Sequence, residues 1–315
     1  MNQPTRRTFF NLTFAGIAGV ALAGCASGGS APRVTLALST LSNPFFADLR
    51  DGAVAETRSA GIDLAVVNAQ DNAESQLNQM QTAAVNRSQA VIINPVDSDA
   101  AKPAASAVMD QNIPLIAVDR GITERKPESF IASDNVAGGK QAALLLADLL
   151  QGNGKIAVLE GQPGASATRD RGSGFLNELR NHTGMEVVAS QTANFDREEA
   201  LDVMTNMMQA NSDIDAVYAH NDEMALGAAV ALGSRAGGDI KIIGFDGGSD
   251  ALEAVKNGTL SGTIAQSPAE LGRQAVRQAL KAINGDPLDE NVPVEVTTVT
   301  SDNVEEFMRQ SEEAS

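Results

Sequence analysis

Residues 34–67, VTLALSTLSNPFFADLRDGAVAETRSAGIDLAVV, hold the pattern that decides the fold. Val34 to Leu38 is a short β-branched and aliphatic run, Pro44 to Ala60 is an amphipathic stretch with helical spacing, and Leu64 to Val67 is a second aliphatic run. Strand, helix, strand reads as a parallel pair joined by a right-handed crossover. The alternation continues outward from this stretch. Apolar runs recur at Val91 to Ile93, Leu115 to Val118, Ile156 to Leu159, Val187 to Ala189, Ala216 to Tyr218 and Ile240 to Ile243. Helical patterns lie between them, at Ser75 to Asn86, Lys140 to Leu150 and Arg197 to Gln209 among others. A continuous apolar run such as Ala90 to Ile93 fits a strand covered on both faces, and helices on both faces of parallel sheets make an α/β protein.

The chain has 315 residues, 43% of them hydrophobic. At about 150 residues per domain this suggests two compact units. About ten strand-helix units likewise exceed one doubly wound sheet, so two α/β lobes are expected, with a break near Ser133-Asp134-Asn135. The net charge of −17 repels polyanions and argues against nucleic-acid binding. A single cysteine leaves no disulfide framework, and His182 and His220 are too few and too far apart for a histidine metal site; no metal and no cofactor are expected.

Residues 1–24 read as an export signal: Arg6 and Arg7, an apolar stretch from Leu12 to Ala23, then small residues. The paired arginines suit either a twin-arginine or a general export route. Leu22-Ala23-Gly24-Cys25 resembles a bacterial lipobox, which makes Cys25 the expected lipidation site and a lipid chain the only membrane attachment. Residues 25–32 read as a tether, with the folded part starting near Arg33.

In parallel α/β sheets ligands bind beyond the carboxyl ends of the strands. Ser39 and Asn43 follow the first run, Asp119-Arg120 follow Leu115 to Val118, Asn221-Asp222 follow Tyr218-Ala219, Asp246 follows Phe245, and Gln266 follows Ala265. Each Ser, Asn or Asp by itself is also an ordinary helix cap or turn former. Arg120 and Arg171 are not capping residues, and a guanidinium beside Asp119 can donate to a polyol while the carboxylate accepts. Aromatics are scarce, only 3% of the chain, yet Phe45, Phe46 and Phe195 stand in loop or helix-start positions among these polar groups. Flat apolar faces stack on the C–H faces of a sugar while planar polar groups take its hydroxyl rim.

Enzymatic motifs fit poorly, and no enzyme is expected. The loop Gly161 to Ser166 lacks the Gly-Lys-Ser/Thr ending of a phosphate loop, and Arg171-Gly172-Ser173-Gly174 lacks the first glycine of a nucleophile elbow. No nucleophile and base can be paired by spacing.

Several segments together resemble the type I periplasmic sugar-binding family, in particular the D-ribose binders of bacterial ABC importers. They include Ser39 to Phe46, Ile93 to Ala100, Val118-Asp119-Arg120, Arg169 to Gly172, Asn194 to Arg197, His220 to Gly227, Gly244 to Gly247 and Ile264 to Gln266. The resemblance implies two doubly wound parallel-sheet lobes joined by a three-segment hinge, 33–133 plus 267–294 and 134–266 plus 295–315. It implies that Phe46 and Phe195 sandwich a pyranose ring, with Phe45 at one edge. The polar ring is then Asn43, Asp119, Arg120, Arg171, Asn221, Asp246 and Gln266, with Ser39 as a further member. Function follows as capture of D-ribose by a monomer outside the cytoplasm and delivery to an ABC importer permease; allose, galactose, autoinducer-2 and a chemotactic role are the alternatives. The lipid-anchored start and extended acidic tail depart from the family pattern.

Overall fold

The computed structural model describes residues 31–314. The expected export signal, the lipidation site Cys25 and the tether up to residue 30 lie outside the described residues. The opening unit forms as the sequence suggests: strand β1 (Arg33–Leu38), helix α1 (Pro44–Ala60) and strand β2 (Asp63–Asn68), with β1 and β2 parallel. Asn43 starts α1 by accepting the amide of Phe45 at 2.9 Å, and Pro44 occupies the first turn, where no amide partner is needed. Gly61 ends the helix at φ 67°, a left-handed conformation that glycine adopts without steric cost.

The first sheet adds β3 (Ala90–Ile93), β4 (Leu115–Val118), β5 (Ser129–Ser133) and β11 (Asn291–Val294), in the order β11-β5-β4-β3-β1-β2, all parallel. β3 and β4 are buried at every residue, which explains their unbroken apolar sequences. One face is covered by α1 and α9 (Pro268–Asn284), through Leu49, Phe46, Leu271 and Val276. The other is covered by α2 (Ala73–Val85) and α3 (Lys102–Met109), through Met80, Ala105 and Val108. A fully buried leucine such as Leu49 contributes roughly 1.5–3 kcal/mol over an exposed one.

The second sheet runs β12-β10-β9-β8-β6-β7, from β6 (Asn153–Glu160), β7 (Gly184–Thr192), β8 (Ala216–Ala219), β9 (Lys241–Asp246), β10 (Gly262–Ala265) and β12 (Thr297–Val299). Helices α4 (Asn135–Leu149) and α5 (Ser166–Leu179) cover one face. The other carries α6 (Arg197–Ala210), α7 (Asp222–Leu232), α8 (Ser249–Lys256) and the acidic tail helix α10 (Val304–Ala314), whose Val304 is buried in that core. A Cβ at Gly139 of α4 would lie 2.1 Å from the carbonyl oxygen of Arg171, and one at Gly174 of α5 2.1 Å from that of Val136. The two helix backbones therefore touch, which fixes α5 and the arginine it carries.

Strict alternation fails in two places. β4 and β5 are joined by residues 119–128 with no helix between them, and that connection opens with Asp119-Arg120. β12 pairs antiparallel with β10, having come from β11 in the other sheet through residues 295–296 alone. A direct link of that length can place an edge strand without the long crossover that a parallel neighbour in one sheet requires. The chain passes between the sheets three times, after β5, after β10 and after β11.

Candidate functional site

Ten of the residues singled out in the sequence line one narrow cavity between the two sheets. Asn43, Phe45, Phe46, Asp119 and Arg120 come from the β1 and β4 ends of the first sheet. Arg171 comes from α5, Phe195, Asn221 and Asp246 from the carboxyl ends of second-sheet strands, and Gln266 from the crossing after β10.

Ser39, expected in the polar ring, does not line the cavity. It is fully buried behind the wall, where its Oγ donates to Asn94 Oδ1 at 2.6 Å. That bond fixes the amide orientation, so Asn94 Nδ2 faces Asp119 Oδ2 at 3.0 Å. Asn94 was missed in the sequence although it directly follows an apolar run, the same signal that found Asp119 and Asn221. Asn135 and Gln162 were missed too: they accept from Arg171 Nε at 2.8 Å and Arg120 Nη1 at 3.3 Å. Ala167 also lines the cavity, and its side chain carries no chemical signal to read.

Both arginines are held by acceptors that leave little freedom. Arg120 Nη1 donates to the carbonyls of Pro95 and Val96, its Nε lies 3.7 Å from Asp119 Oδ2, and its guanidinium is 5.5 Å from the ring centres of both Phe46 and Phe195. Arg171 Nη1 donates to the carbonyl of His220 at 2.5 Å, lies 3.5 Å from Asp246 Oδ1, and the guanidinium sits 3.7 Å over the Phe245 ring. Gln266 Nε2 donates to Asp246 Oδ1 at 2.7 Å. Two buried polar atoms of this wall, Arg120 Nε and Gln266 Oε1, have no hydrogen-bond partner among the described residues. A buried group in that condition costs about 1–3 kcal/mol, which a hydroxyl-bearing ligand can recover.

Two carboxylates and two guanidiniums face the same small volume, so their formal charges cancel. Burial raises the pKa of Asp119 against the opposing pull of Arg120, Arg171 and the Asn94 amide; the same burial lowers that of Arg120. Asp246 is raised well above its ordinary value, again by burial first. Such a site gains nothing from a ligand with net charge, which would leave one buried ion unmatched. It suits a neutral molecule with many hydroxyls.

Backbone strain gathers here. Asp119 at φ 65°, Phe195 at 64° and Asp246 at 128° all line the cavity in conformations that side-chain-bearing residues rarely adopt. For Phe195 this costs roughly 1–2 kcal/mol. Its ring fits only because residue 161 is glycine: a Cβ there would lie 2.1 Å from Phe195 Cζ. Asn221 holds the same segment, donating from Nδ2 to the Phe195 carbonyl at 3.2 Å while its Oδ1 caps α7.

The rim joins the two lobes directly. Ser98 donates its amide to the Gly164 carbonyl at 3.1 Å and accepts the Ser166 amide on Oγ at 3.0 Å; Ser166 Oγ accepts the Gly121 amide at 2.9 Å. Arg169 Nη1 pairs with Asp99 Oδ2 at 3.1 Å just outside. With these bonds made, Asp119, Arg120 and Arg171 are each at most 4% exposed.

Among the described residues no helix is long and apolar enough to cross a membrane. The chain is similar to two ribose import binding proteins. That of Bacillus subtilis is 42% identical over 259 residues, covering 82% of this chain and 84% of the relative. That of Escherichia coli is 41% identical over 285 residues, covering 90% and 96%. The crystal structure of a Caulobacter myo-inositol binding protein bound to myo-inositol superposes with a TM-score of 0.85 at 32% identity, covering 90% of this chain and 98% of that one. The family model for the periplasmic binding protein domain matches residues 34–287. The chain therefore belongs to the periplasmic binding protein domain family, whose members are solute-binding components of transport and not enzymes.

Proposed function

We propose that this protein captures one molecule of D-ribose in the cavity between its lobes and delivers it, unchanged, to the permease of an ABC importer. The observation that carries the reading is the charge-balanced polar wall set between Phe46 and Phe195. A neutral pyranose stacked between the two phenyl rings offers its hydroxyl rim to Asp119, Arg120, Arg171, Asn221, Asp246, Gln266 and Asn43, with Phe45 closing one edge. The similarity to ribose import binding proteins of two bacteria supports the choice of ribose over other monosaccharides.

The wall draws on both lobes, 33–133 with 267–294 and 134–266 with 295–315, so a bound sugar favours their closed arrangement through contacts that the open one lacks. The rim bonds of Ser98, Gly121, Gly164 and Ser166 belong to that closed state. Outside the described residues, Cys25 carries a lipid chain that keeps the otherwise soluble, monomeric domain at the membrane surface after export.

Titration calorimetry of residues 31–315 against a panel of pentoses, hexoses and inositols tests the assignment. D-ribose should bind most tightly and be recovered unchanged. Tighter binding of allose, galactose or myo-inositol would overturn the ligand, and conversion of the sugar would overturn the class.

A further inference from the structure

Asp222 follows Asn221 at the start of α7, is 3% exposed, and does not line the sugar cavity. A carboxylate at a helix start ordinarily faces the free amides of that helix. Here Asn221 already caps α7 by accepting the Met224 amide at 3.0 Å, and the Asp222 side chain turns elsewhere. Its Oδ2 accepts the amides of Gly247 at 2.8 Å and Gly248 at 2.9 Å, and its Oδ1 accepts Thr263 Oγ1 at 2.7 Å. One side chain, placed just after β8, thus ties the turn that follows β9 to the second residue of β10. β9 makes room for it: a Cβ at Gly244 would lie 2.2 Å from Asp222 Oδ1.

The clamped turn begins at Asp246, at φ 128°, and continues through Gly247 at φ 78°. Two successive residues in such conformations do not hold themselves; the two glycine amides need an acceptor, and Asp222 supplies it. Gln266 and Arg171 approach the Asp246 carboxylate from its side-chain end. We propose that Asp222 is a positioning residue for sugar capture, fixing the Gly247-Gly248 turn from behind and so setting where Asp246 presents its carboxylate. The proposal rests on the reading of Asp246 as a sugar-binding residue.

The test is a double-mutant cycle read by ribose calorimetry, with an unfolding temperature recorded for each variant. Asp246→Ala should bind at least tenfold more weakly than wild type, and so should Asp222→Ala. Adding Asp222→Ala to Asp246→Ala should cost less than a further threefold, because the second carboxylate then has nothing to position. Asp222→Asn should stay within threefold of wild type: its amide oxygen can accept from both glycines while its nitrogen donates to the Thr263 hydroxyl. Should Asp222→Ala yield no folded protein, Thr263→Val replaces it, with a two- to fivefold loss in wild type and none in Asp246→Ala. Wild-type affinity in the single variant at Asp222, or an equal loss with and without Asp246, overturns the positioning role. Wild-type affinity in Asp246→Ala overturns the reading of the sugar site itself, a distinct result.

Discussion

Asp119→Ala is the substitution whose consequence the structure specifies most fully. Asp119 and Arg120 are each 4% exposed, with the carboxylate 3.7 Å from Arg120 Nε. Two unit charges near 4 Å interact by about 4 kcal/mol at the effective dielectric of protein sites, and most of that offsets the cost of burying them. Under the proposed sugar-binding role, removing the carboxylate takes away one or two charge-assisted bonds to sugar hydroxyls, each about 1.5–3 kcal/mol, and leaves a desolvated guanidinium. Arg120 keeps its bonds to the carbonyls of Pro95 and Val96, which limits the damage. A net affinity loss of about 2–4 kcal/mol follows, roughly 30- to 1,000-fold in Kd. Asp119→Asn keeps one acceptor and should lose less. Calorimetry with D-ribose measures both, and small-angle scattering should show compaction on ribose addition in wild type but not in Asp119→Ala at a sugar concentration that saturates wild type. A loss below threefold in Asp119→Ala, in a variant with an unchanged unfolding temperature, would refute the role given to the buried pair.

Gly161→Ala should abolish tight binding, since its Cβ would sit 2.1 Å from Phe195 Cζ and push the ring from its place; calorimetry at wild-type affinity would contradict this. Ser166→Ala removes the rim acceptor for the Gly121 amide, a net loss of about 1 kcal/mol confined to the closed state, and should weaken every bound sugar about fivefold without changing their order. A reordered sugar preference would count against a purely interlobe role. Burial pushes Asp222 up to about 7 against the stabilising bonds from Thr263, Gly247 and Gly248. A folded-state pKa above the unfolded value means stability that is fully present below the unfolded value near 3.8 and lost as pH rises toward 7. Asp246 is shifted in the same direction, so Asp222→Asn should flatten the fall in unfolding temperature between pH 3.8 and about 7 without removing it; identical slopes for variant and wild type would reject the assignment. Cys25→Ser in the full chain should release the protein from membranes with sugar affinity intact, and unchanged membrane fractionation would remove the lipid anchor.

The α/β class was legible because strand and helix periodicities are local. Val34 to Leu38 and Pro44 to Ala60 declare themselves within a few residues, and continuous apolar runs such as Ala90 to Ile93 imply burial on both faces. The strand-end rule located part of the candidate site for the same reason: in a parallel sheet every strand delivers its carboxyl end to one edge, so the residue after an apolar run is placed by the fold whatever its partners. Asn43, Asp119, Asn221, Asp246 and Gln266 were found that way.

What the sequence could not specify depends on atoms brought together from distant segments. Ser39 and Asp119 both follow strands, yet one stands behind the wall and the other forms it, because Asn94, 55 residues after Ser39, accepts the serine hydroxyl. Phe195 faces the cavity through a strained backbone and the space left at Gly161, 34 positions earlier in the chain; neither is visible in the identity of a phenylalanine. The antiparallel edge strand β12 followed from a link between sheets, not from its own composition. Asp222 reads locally as a helix-start acid, and only the closeness of the β9 turn, 25 residues on, directs its carboxylate to Gly247. Backbone periodicity is a property of neighbours along the chain, whereas the choice of hydrogen-bond partner for a buried side chain is made by whichever donor or acceptor the packed fold places within about 3 Å of it.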